Sequence, residues 1–436
     1  MSEHVFAGFG FGPIQAGLFA KEARESRNFK RIVIAEIDQK LVDAVRANRG
    51  TYYVNVARSD RVETVRIDGV ELFNPTRDRE LQTALAQASE IATCLPSVNF
   101  FDSDRPDSVA ALIAEGLRTR ESDATIVYAA ENNNHAAEIL QQTVAKRWNA
   151  PLPPMVQFLN TVIGKMSQVV TDPAEISERG LAPIAPGIDR AFLVEEFNRI
   201  LVSKTTIPDF TPGIRVFIEK ADLLPFEEAK LYGHNAIHAM LGFIGTLKGY
   251  AKMTDLAGDK PLMHVARAAF IKESGGALIR KYASLGDDLF TESGYRDYAD
   301  DLLKRMTNPH LADTTARASR DVVRKLGVND RIFGTMTQAL EQGIEPKSMA
   351  MGAMAGVALL LANAAEYGLP AGCGPHTSSS SSSDKRCVIC TLRELREDNL
   401  MQILAKLWQT AISPALQKLV NHTYAARGPL GEVLVP

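Results

Sequence analysis

The sequence predicts an α/β chain with an added α part: a doubly wound parallel sheet in the N-terminal half, followed by a mainly helical C-terminal domain. Two observations carry this. Through the first half, short β-branched apolar runs alternate with segments of helical spacing, the order expected of parallel strands joined by crossover helices. After about Pro208 the strand signals fade and helix-like segments follow one another. The 436 residues suffice for two domains. We divide them at 1–207 and 208–436, where Pro208 and Pro212 interrupt regular structure.

In order, His4 to Ala7 is a short apolar run ending in glycines, and Ile14 to Arg24 has helical spacing. Arg31 to Ile37 (RIVIAEI) reads as a buried parallel strand, and Gln39 to Asn48 as helix. Thr51 to Phe73 breaks the alternation with shorter runs, expected as a hairpin or an antiparallel edge. Thr125 to Ala130 is a further buried strand and His135 to Lys146 its helix. Beyond the junction the helices expected are Pro225 to Tyr250, Leu262 to Tyr282, Tyr295 to Met306, Asp313 to Leu326, Arg331 to Gln342, Ser348 to Glu366 and Leu392 to Val420. Six serines, Ser378 to Ser383, read as a loop.

Composition excludes several classes. With 45% hydrophobic and 23% charged residues, the balance is that of a soluble globular protein. A net charge of −3 gives no bulk attraction to nucleic acid or an anionic membrane, though a local basic pocket could still take a phosphate. No apolar run reaches the roughly 18–20 residues that span a bilayer. Met349 to Ala362 comes nearest and reads as a buried core helix. The N-terminus does not read as a secretory signal, and four cysteines do not make a disulfide framework. A cytoplasmic monomer is expected.

Gly8, Gly10 and Gly12 lie between the first strand and the first helix, where a dinucleotide fold needs a tight turn and close backbone approach to a pyrophosphate. The third glycine of the usual fingerprint is replaced by Pro13, so Gly12 or Gly17 must take over part of its role. Glu36 ends the second strand, at the spacing of an acid that hydrogen-bonds the adenosine ribose and repels a 2′-phosphate. NAD is therefore expected over NADP, with Asp38 the competing acid.

The chemistry is concentrated in KLYGHNAIH, Lys230 to His238, which opens a long apolar helix. At about 100° per residue, Asn235 lies about 140° and His238 about 80° round the helix from Lys230, so all three can face one cleft. Oxidising a secondary alcohol needs a base for the hydroxyl proton. A lysine serves if burial lowers its pKa from about 10.4 toward about 8, at a cost of roughly 3 kcal/mol. An amide can stabilise the alkoxide-like oxygen, and a histidine can orient the hydroxyl. The competing view is an amphipathic helix with Lys230 snorkelling to water and His238 hydrogen-bonded in the core.

The spacing of Lys230, Asn235 and His238 resembles the signature of the polyol-specific long-chain dehydrogenases. IAEIDQKLVDAVRANRGTYYV, ENNNHAAEIL, FLNTVIGKM, NPHLADT and RDVVRKLGVNDR resemble further segments of that family in the same order, over residues 4 to about 365. The resemblance implies a Rossmann-type NAD domain and a helical catalytic domain that interconverts a sugar alcohol, or its phosphate, with a keto sugar such as fructose 6-phosphate. It implies Lys230 as general base, Asn160 and Asn235 as the oxyanion-stabilising pair, and His238 in contact with substrate. Arg324 would hold a substrate hydroxyl or phosphate, with Lys325 its companion. Glu131 and Asn132 would line the cofactor cleft, although a helix cap is an equally simple role. Non-phosphorylated mannitol and hexuronates are the rival substrates. A non-catalytic dinucleotide-binding sensor is the rival of another class.

One feature goes beyond the resemblance. Cys373 and His376, and again Cys387 and Cys390, are two residues apart, with the serine run between the pairs. Two such knuckles suit a closed tetrahedral structural zinc site. The reading preferred over it is an ordinary surface insertion, since buried cysteines also serve as small apolar residues.

Overall fold

The computed structural model describes residues 4–103, 105–197, 199–363 and 385–435, excepting the side chains of 385–389. These divide into two compact units between Phe226 and Glu227. The junction falls later than residues 207 and 208, because the chain returns once more to the sheet before leaving it.

Twelve strands are formed among the described residues: β1 (His4–Phe9), β2 (Phe29–Ala35), β3 (Tyr52–Ala57), β4 (Val62–Ile67), β5 (Val70–Phe73), β6 (Glu90–Thr93), β7 (Thr125–Ala129), β8 (Val156–Ile163), β9 (Ser167–Val170), β10 (Ala191–Glu195), β11 (Ile200–Ser203) and β12 (Phe217–Lys220). The main sheet runs β12-β11-β8-β7-β6-β1-β2-β5. From β5 to β8 every pairing is parallel, and the order is that of a doubly wound dinucleotide fold. β11 then adds antiparallel to β8, and β12 parallel to β11. The period of two is visible in the core. Phe6, Ile32 and Ile34 point into one apolar cluster, while Ala7, Phe9, Val33 and Ala35 point into another on the opposite face. Both faces being covered, the inner stretches Val5–Phe9 and Ile32–Ala35 are apolar throughout.

The expected hairpin at 51–73 resolves into two destinations. β3 and β4 pair antiparallel and join β10 and β9 in a second, four-stranded sheet, whereas β5 becomes the parallel edge beside β2. The strands from β8 to β12 had no clear signal. They are mostly four or five residues long, and their partners are distant in sequence.

The second unit is helical in its described residues. Ala236–Leu247 is apolar nearly all round and packs against Lys347–Ala362 and Thr315–Ser319. Lys347–Ala362 is the buried helix expected from its composition. Its N-terminus is satisfied by a distant acid, since Ser348 and Met349 donate backbone N–H groups to Glu273 at 2.7 and 2.8 Å. Two long expected helices are broken. The segment 313–326 forms Thr315–Ser319 and Val322–Lys325, separated by Asp321 at φ 58°. The segment 392–420 breaks at Gln409, also left-handed, and restarts with Pro414 at the first turn of Pro414–Ala425. No helix among the described residues is long and apolar enough to cross a membrane.

Candidate active site

The sheet unit carries the glycine loop at the C-terminal ends of β1, β2 and β6, where the strand order reverses direction. Gly10 has φ +79° and donates its N–H to Ala35 at 2.9 Å, while a Cβ there would lie 2.9 Å from the Cys94 carbonyl oxygen. Only glycine fits without strain. Gly8 leaves room for Gln15, whose buried carboxamide packs over it without a hydrogen-bond partner. A Cβ at Gly12 would meet nothing within 4 Å, so the loop is open on that side. At Gly17 a Cβ would lie 2.7 Å from Val194 and 3.3 Å from Val54. Gly17 thus lets the helical turn Gln15–Ala20 press onto the second sheet.

Glu36 accepts from the Phe11 N–H at 2.7 Å and from the Asp38 N–H at 2.8 Å, so its carboxylate lies against the glycine loop. Asp38 is otherwise engaged. It caps Gln39–Ala47 through the Leu41 N–H and pairs with Arg190 at 2.5 Å. Beside them Ile37 is 77% exposed, an apolar face where an adenine ring could lie. Glu131 is buried and accepts from Thr93 Oγ1 at 2.9 Å and the Leu95 N–H at 2.8 Å, fastening the end of β6. Burial pushes its carboxyl upward. Asn132 is exposed just after β7. The first turn of Ala136–Trp148 is capped from the sheet. That cap is Asn160 of β8, which accepts from the Ala137 N–H and donates to Glu138, both at 2.8 Å.

In the helical unit, Lys230 and Asn235 lie on a π-helical segment, Ala229–Asn235, rather than on an α-helix. The angular estimate made from α geometry therefore does not hold. In an i→i+5 helix, residues five apart are closer in angle than in an α-helix, which brings Lys230 and Asn235 toward one face. His238 follows in Ala236–Leu247. Burial and the nearby Arg331 bring the Lys230 amine down to about 8, against the opposing pull of the buried Glu227. His238 Nε2 lies 2.8 Å from Asp313 Oδ2.

Arg324 is exposed, 3.5 Å from Asp330 and 3.8 Å from Asp321. Lys325 is buried, donates to the Ala318 carbonyl at 2.7 Å, and is brought to about 8 by burial, Arg331 and Arg324. Arg331 is buried against Asp330 and bears on both lysines. Sequence reasoning missed Arg331, Glu227, Asp313 and His234. The first three carry no mark in spacing alone. His234 stands inside the nine-residue segment itself and is kept neutral by burial and by the surrounding cations.

The proposed zinc ligands Cys373 and His376, and the side chain of Cys387, lie outside the described residues. Cys390 is exposed on Lys385–Glu394, which begins before Cys387 rather than after Cys390.

A family model described as the mannitol dehydrogenase C-terminal domain matches residues 222–367, the stretch that holds Lys230, Asn235, His238, Arg324, Lys325 and Arg331. Residues 222–367 thus resemble the C-terminal domain of the mannitol dehydrogenases. It is 27% identical over 349 residues to mannitol-1-phosphate 5-dehydrogenase of Buchnera aphidicola (subsp. Acyrthosiphon pisum, strain APS), covering 79% of this chain and 83% of that one. The enzyme of the same name from Shouchella clausii is 26% identical over 326 residues, 73% and 79% of the two chains. In fold the chain is similar to a D-sorbitol dehydrogenase, with TM-score 0.74, 16% identity and coverage of 100% and 95%. It is also similar to Pseudomonas fluorescens mannitol 2-dehydrogenase in complex with NAD and D-mannitol, with TM-score 0.67, 19% identity and coverage of 99% and 94%. The matched domain and these relatives mark the chain as an oxidoreductase.

Proposed function

We propose that this oxidoreductase uses NAD(H) to interconvert a phosphorylated hexitol and its ketose phosphate, in the manner of mannitol 1-phosphate and fructose 6-phosphate. The observation that carries the proposal is Lys230, a lysine brought to about 8 on a π-helical turn that it shares with Asn235. A base poised near working pH suits proton transfer in both directions. Lys230 takes the hydroxyl proton as the alcohol is oxidised and returns it as the ketone is reduced. The amide groups of Asn160 and Asn235 stabilise the oxygen while it carries charge, and His238 holds the substrate. The nicotinamide, when bound, supplies or accepts the hydride.

The glycine loop fits a dinucleotide. Its open side at Gly12 leaves space for a pyrophosphate, and the unmet carboxamide of Gln15 lies beside it. Glu36 is the acid placed to read a free ribose 2′-OH, with Asp38 committed elsewhere. The phosphate reading is supported by Lys325 and Arg331, both buried, with Arg331 repelling both Lys325 and Lys230. A dianion beside them relieves that repulsion.

The test is NADH oxidation with fructose 6-phosphate, fructose and hexuronates side by side. Fructose 6-phosphate is expected to exceed fructose in kcat/KM by more than about tenfold, the worth of a charge-assisted hydrogen bond. Fructose at parity removes the phosphate, and equal use of NADPH removes Glu36 from the ribose. No turnover with any of them leaves the sensor.

A further inference from the structure

We propose that Asp313 is the positioning residue for His238. It holds the imidazole as the tautomer with its hydrogen on Nε2, which leaves Nδ1 as the ring's acceptor for a substrate hydroxyl. The substrate contact rests on the function proposed above; the tautomer does not.

The geometry is specific. Asp313 is 1% exposed and faces three donors besides the ring. Arg317 donates Nε to Oδ1 at 2.6 Å and a terminal nitrogen to Oδ2 at 3.0 Å, and the Thr314 N–H donates to Oδ1 at 2.8 Å. Oδ2 then takes His238 Nε2 at 2.8 Å. Arg317 already balances the carboxylate charge, so the ring need not be a cation to be held. An ionised carboxylate can only accept, which makes Nε2 the donor and Nδ1 the lone-pair nitrogen. Burial works against charge on Asp313, but its bonds with His238 and Arg317 outweigh burial and keep it ionised well below the usual carboxylate range.

The backbone is built to keep this acid in place. Ala312, directly before it, sits at φ 52°, a left-handed conformation that costs a residue with a side chain about 1 kcal/mol or more. The chain accepts that because the segment is clamped on both sides. Met253 donates to the Asp313 carbonyl at 2.9 Å, Thr315 donates to Ala251 at 3.1 Å, and Lys252 bridges to Thr314. Thr314 caps the next helix through the Arg317 N–H, which carries the Arg317 side chain back to Asp313. A carboxylate present only to cap a helix would not need the far ring, since Thr314 already provides the cap.

The test uses full-length protein with 15N-labelled histidine. His238 is assigned by the loss of its resonances in His238→Gln, and its tautomer is read by two-bond 15N correlation near pH 7.5. Wild type is expected to carry hydrogen on Nε2. In Asp313→Asn the side-chain amide can donate to Nε2, and the hydrogen is expected to move to Nδ1. kcat/KM for the keto sugar should fall roughly ten- to a hundredfold, the usual cost of losing an orienting carboxylate, with NADH affinity within a few-fold. A wild-type ring with hydrogen on Nδ1 or on both nitrogens overturns the proposal. So does a folded Asp313→Asn with an unchanged tautomer or unchanged kcat/KM. Should that variant not fold, the wild-type spectrum still decides. Because the tautomer is read without turnover, a negative result leaves the role of Lys230 standing.

Discussion

The glycine loop and the Lys230 turn prepare chemistry by different means. In the sheet unit the geometry belongs to the backbone. A positive φ at Gly10, an open face at Gly12 and a missing Cβ at Gly17 shape the loop, and the carboxylates of Glu36 and Glu131 are held by backbone N–H groups. In the helical unit it belongs to side chains. Burial and the nearby Arg331 lower the pKa of both Lys230 and Lys325. The difference explains which departures a sequence can absorb. A backbone role can be met by any nearby glycine that gives the same clearance. A side-chain role cannot move in this way: Lys325 is also brought to about 8, but its amine is bonded to the Ala318 carbonyl.

The sharpest way to break the comparison is Lys230→Ala. It should lower kcat by about 10²-fold or more, the cost of removing a general base, while NADH affinity stays within a few-fold in a direct binding titration. Retention of more than about a tenth of kcat would remove the lysine from the proton transfer.

The electrostatic half can be tuned rather than removed. In polyol oxidation, kcat/KM should rise with pH through about 8 and level above it, because the reaction needs the neutral amine. Arg331 disfavours the charged lysine. Arg331→Gln should therefore move the rising limb to higher pH, by roughly one unit. A limb that stays in place or moves down would show that Arg331 does not act on Lys230.

The backbone half separates into two glycines. Gly10→Ala places a Cβ against the Cys94 carbonyl in a left-handed conformation and should destabilise the fold by about 1–3 kcal/mol in denaturant titration. Gly12→Ala meets no protein atom and should leave stability within about 0.5 kcal/mol while weakening NADH binding. Equal effects of the two on stability would undo the assignment of the open face.

The smallest expected effect lies in the sheet unit away from the loop. Glu90 is brought up to about 7 by burial, although it accepts from the Gly213 N–H at 2.6 Å and from the Tyr128 hydroxyl at 3.0 Å. The folded chain then binds this proton more tightly than the unfolded one. Its contribution to stability is fully present below the ordinary carboxyl range and is lost as pH rises through about 7. Glu90→Gln keeps a neutral partner for both groups, so it should flatten the fall in Tm across that interval. An unchanged slope would mean that other groups set it.

The sequence by itself determined the alternation that makes a parallel sheet, the glycines after the first strand, the acid at the end of the second and the nine residues from Lys230 to His238. Each is a local pattern, set by the period of a strand or helix or by a turn that only glycine can make. The tertiary structure decided the rest. It turned Lys230 and Asn235 toward one face through a π segment, which no α-helical periodicity announces. It committed Asp38 to a helix cap and Arg190, and so separated it from Glu36. It carried the chain back to the sheet at β12, past the prolines that looked like a boundary. It also set Arg331 and Asp313, 101 and 75 residues from Lys230 and His238, against the groups they govern. Burial and charge act through space, so a residue's protonation depends on neighbours that the chain brings close only when it is folded.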